Sequence, residues 1–160
     1  MSSKIIIQII SLLTLFAISC NNGGQQSDTK ANSNNVFATV DYDKVVAYSY
    51  DGEGDIEIID KKGKLANKIK KQVEISKAQT IKLTNTLCNK STFGGDIAAC
   101  FDPHFGVVFF KKNKTIAHVS ICLDCNYLVS SIKLPNDGGF SDEGIKKIID
   151  FEKELKFWQQ

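Results

Sequence analysis

Arginine is absent from this chain: all 20 basic residues are lysine. Base edges and phosphates are best met by the planar guanidinium fork, so its absence argues against a nucleic-acid reader. Charge of one sign is missing too. With 18 Asp and Glu, and Lys4 assigned below to a removed leader, the remainder is nearly neutral. No Gly-x-Ser-x-Gly elbow, His-Glu-x-x-His pair, phosphate loop or dinucleotide fingerprint occurs. The single Cys-x-x-Cys is followed by Asn126 rather than by the histidine that haem attachment needs. After residue 35 there is neither an internal repeat nor a low-complexity run. The acidic stretch DGEGDIE fails as a calcium loop. Counted from Asp51, the sixth and twelfth positions hold Ile56 and Lys62, where Gly and Glu are needed. Lysines gather in DKKGKLANKIKK, which reads as a solvated turn and strand face rather than an anionic headgroup contact.

What is present begins with MSSKIIIQIISLLTLFAISC. Lys4 supplies a positive start, and Ile5 to Ala17 form an apolar run. That run is short of the ~20 residues of a membrane span but suits a secretory leader. The ending Ala17-Ile18-Ser19-Cys20 resembles the lipobox of bacterial lipoproteins. The resemblance implies that residues 1–19 are removed as a signal peptide and that Cys20 is acylated and anchors the chain to a membrane. In the same families Asp after the acylated cysteine marks inner-membrane retention, so Asn21 points to the outer membrane. Residues 20–35 then form the lipidated cysteine and a flexible tether. NNGGQQSDTKANSNN has no large aliphatic or aromatic side chain with which to offset its ordering entropy. As a coil it spans roughly 20 Å.

Residues 36–157 suffice for one core-forming domain. VVAYSY (45–50) and IEIID (56–60), broken by DGEGD, predict a hairpin. Leu65, Ile69, Val73 and Ile75 lie on odd positions and predict a strand. Ser76 with Gln79 forms a capping box, opening a helix to about Cys88 that buries Ile81, Leu83 and Leu87. FGVVFFKKNKTIAHVSIC is the strongest hairpin signal. Apolar residues on both faces of Phe105–Phe110 predict a central strand covered on both sides. NYLVSSIKLP predicts another strand, closed by Pro135. Ser141 caps a last helix near 142–156, with Phe140 and Ile145 placed as a hydrophobic staple. Together these predict an α+β fold, an antiparallel sheet of about five or six strands with two helices packed on one face.

Four cysteines remain beside Cys20: Cys88, Cys100, Cys122 and Cys125. An even number in an exported domain favours disulfides. With Asn113-Lys114 as a two-residue turn, Phe109 faces His118, Val107 faces Ser120 and Phe105 faces Cys122. Cys100, Cys122 and Cys125 then gather at the open end of the hairpin, with His104 opposite Leu123. A Cys100–Cys122 or Cys100–Cys125 bridge would close a loop of a little over twenty residues, worth roughly 3 kcal/mol, and Cys88 would take the leftover partner. A zinc site would use Cys100, Cys122 and Cys125 with Cys88 or His104 as the fourth ligand. His118 cannot share an ion with Cys122, because four residues of strand separate them by ~13 Å. Thioredoxin-type chemistry wants the first cysteine at a helix N-terminus, whereas strand-forming residues follow this pair. The block CFDPHFGVVFF…ICLDC is also similar to a Cys-aromatic-x-Pro … Ile-Cys-x-x-Cys pattern in uncharacterised bacterial envelope proteins, a similarity that implies no activity. Asp102 with His104 is a thin acid–base pair, and His118 with Ser120 on one strand is a thin base–nucleophile pair without the elbow. The sequence thus predicts a lipid-anchored envelope protein with a non-enzymatic binding or structural role and no cofactor. The alternative is a cysteine-site protein that binds zinc or handles thiols.

Overall fold

The computed structural model describes residues 32–157. The leader, Cys20 and most of the tether lie outside them. The expected α+β architecture is present: a five-stranded antiparallel sheet, a two-stranded sheet and two helices. Seven strands run in chain order. They are β1 (Lys44–Tyr50), β2 (Ile69–Glu74), β3 (Phe93–Gly95), β4 (Phe105–Lys111), β5 (Lys114–Cys122), β6 (Tyr127–Ser130) and β7 (Gly139–Phe140). The helices are α1 (Lys77–Leu87) and α2 (Asp142–Glu154). The large sheet has the order β2-β1-β4-β5-β6, and β3 pairs with β7.

β4 is the central strand, and Phe105 to Phe109 are buried on both faces. Odd-numbered Val45, Ala47, Phe105, Val107, Phe109, Val119 and Ile121 join Leu83, Leu87, Ile148 and Phe151 of the helices in the main core. This places both helices on one sheet face. The opposite face carries Val46, Tyr48, Tyr50 and Val108, packed with Ile58, Ile59 and Ala66. Its cover comes from the segment 51–68, which departs from the predicted hairpin. β1 pairs with β2 instead, and residues 56–60 cross the sheet. Ile58 is fully buried, and a Cβ on Gly106 would lie 2.6 Å from its Cβ. Glycine at 106 therefore lets the crossing segment close onto the strand. The edge strand β2 exposes Lys70, Lys71 and Gln72, charge that discourages edge-to-edge pairing.

α1 begins at the predicted capping box. Ser76 Oγ accepts from Gln79 N–H, and Gln79 Oε1 accepts from Ser76 N–H. It buries Thr80 and Thr84 with Leu83 and Leu87, while Ile81 is only half-buried. The tether's last residues are not free of the domain. Asn32 N–H donates to Asn85 Oδ1, and the Asn35 amide donates to Thr84 Oγ1 and Asn85 Oδ1. α2 starts after Ser141, whose hydroxyl accepts from Gly144 N–H. Among the described residues no helix is long and apolar enough to cross a membrane.

Candidate functional site

The β4–β5 hairpin sets the site. Its turn is Lys112-Asn113, both at positive φ (47° and 63°), with Lys111 facing Lys114. A bulge at Ile116 shifts the register, so that Phe109 faces Ala117, Val107 faces Val119 and Phe105 faces Ile121. The turn lies one residue earlier than predicted, which alone would move each pairing by two; the bulge returns one, so the predicted pairings are off by one residue. Cys122 still ends β5 at the open end of the hairpin, and the chain turns there through Leu123–Asn126 into β6, with Cys122 paired to Tyr127.

Three sulfur atoms meet at this turn. Cys122 and Cys125 are joined by a disulfide across a Cα separation of 5.3 Å. Cys125 N–H also donates to Cys122 Sγ (3.1 Å). The Cys100 sulfur lies 2.6 Å from Cys125 Sγ. Both bridged residues are buried, Cys122 at 0% and Cys125 at 1% exposure, whereas Cys100 is an exposed free thiol. The loop that carries Cys100 is tied on either side of it to Cys125. Ala98 N–H donates to the Cys125 carbonyl (3.0 Å), and Asp102 N–H donates to Cys125 Sγ (3.4 Å). His104 N–H donates to the Ile121 carbonyl, which fixes the loop's return into β4. Phe101 packs edge-on against Tyr127, 5.7 Å between ring centroids.

Asn126, which sequence reasoning passed over, locks the turn in place. It adopts φ of 53°, a left-handed conformation that asparagine tolerates. Its amide donates to the Asp96 and Phe140 carbonyls, and its Oδ1 accepts from Phe140 N–H. One side chain thus links the cysteine turn to β7 and to the residue that follows β3. Gly139 leaves room for it: a Cβ there would lie 2.8 Å from Asn126 Nδ2. The available signal was an asparagine directly after Cys-x-x-Cys, at a turn.

The remaining sequence candidates separate. Cys88 caps the C-terminus of α1, away from the cluster, with its thiol donating to Asn35 Oδ1 (3.8 Å). It is a free buried cysteine whose thiol burial pushes upward, not the partner of a second bridge. The observed bridge also differs from both predicted pairings, because the tight turn after β5 brings its own two cysteines together. His104 reaches Asp124 at 3.9 Å between exposed side chains. Asp102 instead accepts from Gly54 N–H, so it makes no pair with His104. Ser120 is fully buried and its Oγ accepts from Ile58 N–H (2.8 Å), which makes it a fastener for the crossing segment. His118 is half-buried, and burial lowers its pKa.

The donor set can be tested against zinc. Four thiolates around zinc at ~2.3 Å would sit ~3.8 Å from one another. A disulfide offers no thiolate, and Cys100 lies 2.6 Å from Cys125 Sγ. In this arrangement the residues do not fit the ion. Among the described residues no group of three or more His, Cys, Asp or Glu side chains is placed to hold one. The molecule is thus defined as an α+β domain with a three-sulfur cluster at the end of its central hairpin. Compared with known proteins, the chain matches no family model, no curated sequence and no solved structure.

Proposed function

We propose that this chain is a lipid-anchored bacterial envelope protein with a non-enzymatic binding or structural role, held through Cys20 at the outer rather than the inner membrane. The observation that carries the reading is the order Lys4, apolar Ile5–Ala17, small residues and Cys20, followed by a polar tether. Each buried CH₂ of an acyl chain contributes about 0.8 kcal/mol, so two or three chains on one cysteine hold a domain at a membrane almost permanently. Ser120 and Asp102 each accept a hydrogen bond from a backbone N–H of the segment 51–68, which gives both side chains a structural role there.

Membrane fractionation of a Cys20→Ala variant of the full chain tests the anchor. The domain should fold as before and leave the membrane fraction. A leader-cleaved variant that stays with membranes through a high-salt wash would overturn the assignment.

A further inference from the structure

We propose that Cys100, Cys122 and Cys125 form a thiol–disulfide exchange centre, in which Cys100 is the surface entry to a buried disulfide and small thiols or dithiols are its reactants. The proposal goes beyond the lipid-anchored reading, stands without it, and describes a stoichiometric exchange rather than enzymatic turnover. Its basis is the juxtaposition of one exposed free thiol with a disulfide that solvent does not reach. Cys122 and Cys125 are 0% and 1% exposed, and the Cys100 sulfur lies 2.6 Å from Cys125 Sγ. An external thiolate must touch a disulfide sulfur to attack it, and neither bridged sulfur is open to that approach. Cys100 already touches one.

The step is an isomerisation. Cys100 loses its proton and its thiolate attacks Cys125 Sγ. The Cys100–Cys125 bond forms, the Cys122–Cys125 bond breaks, and Cys122 leaves as a thiolate that takes up one proton. One disulfide and one thiol stand on each side, so no outside oxidant or reductant is needed. The leaving sulfur is received by a donor already in place, Cys125 N–H at 3.1 Å from Cys122 Sγ. Hydrogen bonds to an anion favour it. The attacking loop is held at Ala98 and Asp102, two residues to either side of Cys100 and both bonded to Cys125.

The product carries one bridged sulfur on the exposed residue. An external thiol can then attack Cys100, forming a mixed disulfide and releasing the Cys125 thiol. A second thiol, or the other arm of a dithiol, attacks that mixed disulfide. It frees Cys100 and leaves the reactant as its disulfide. Two electrons have passed from the external thiols to the domain, which ends with three thiols.

The test uses the mature full chain in its oxidised form. Reduction by dithiothreitol is followed by acid-quenched alkylation and peptide mass mapping in the unaltered protein and in Cys100→Ser. The variant should lose its Cys122–Cys125 bridge about tenfold more slowly or worse, because the entry sulfur is gone. In Cys122→Ala, reoxidation should yield a linked Cys100–Cys125 peptide. Equal reduction rates in the protein and Cys100→Ser would overturn the proposal, and so would folded, reoxidised Cys122→Ala with Cys100 and Cys125 both alkylated. Since Cys100 is exposed, the rate comparison holds even where the buried substitution prevents folding.

Discussion

The two pairings open to the cluster should stabilise the domain unequally, and the difference can be worked from the chain. Cys122→Ala leaves only the Cys100–Cys125 bridge, while Cys100→Ser leaves only Cys122–Cys125. Closing a loop in the unfolded chain removes entropy that grows with the logarithm of loop length. For the four residues from 122 to 125 this amounts to about 2 kcal/mol, and for the 26 residues from 100 to 125 to about 3.5 kcal/mol. Each variant is measured oxidised and reduced, so the cost of its own substitution cancels. Urea unfolding is the assay. With a slope of roughly 1.5 kcal/mol/M, the oxidised-to-reduced shift in midpoint should be about 1.2 M for Cys100→Ser and about 2.3 M for Cys122→Ala. Equal shifts, or a larger shift for the short bridge, would refute the loop-closure reasoning for this cluster.

Two further predictions rest on single side chains. Burial holds the Glu152 carboxyl up at about 7, from an ordinary 4.5. Between those values the unfolded state releases a proton that the folded state keeps, so stability falls as pH rises from about 4.5 to about 7 and then levels off. Glu152→Gln should flatten that slope and gain up to roughly 3 kcal/mol above pH 7, as read by urea unfolding across the range. A slope unchanged in the variant would assign it to other groups. Asn126→Ala removes three hydrogen bonds and a residue suited to positive φ, and should cost about 2–4 kcal/mol. Its amide exchange should quicken at Phe140 and around the cysteine turn before it does in β4. A loss of protection spread evenly over the sheet would contradict this.

Much of this architecture can be read from the residues where two signals agree. The Ser76–Gln79 box and the change from alternating to helical spacing place α1 within a residue. The doubly apolar run Phe105–Phe110 marks the central strand, because only a strand covered on both faces gains from such a sequence. Local pattern fails where a long-range contact decides. Ile56–Asp60 alternates like a strand, yet Ile58 and Ile59 lie across the far face of the sheet, where glycine at 106 and the Ser120 hydroxyl receive the segment. The hairpin register differs by one because the turn sits one residue earlier, with Lys112 at a positive φ that lysine rarely adopts, which moves each pairing by two, while the Ile116 bulge takes one of the two back. That the three cysteines gather follows from hairpin geometry alone. Which two are joined depends on the turn after β5, and that turn is set by Asn126 bonding to a strand 14 residues away. The anchor at Cys20 lies outside the described residues.

The most direct test of the lipid-anchored account is the mass of the N-terminal peptide from the protein extracted from bacterial membranes. The account predicts a peptide that begins at Cys20 and carries two or three acyl chains, one pair of them on a glyceryl group at the sulfur. A peptide that begins elsewhere, or one that begins at Cys20 with the bare amino-acid mass, would contradict it.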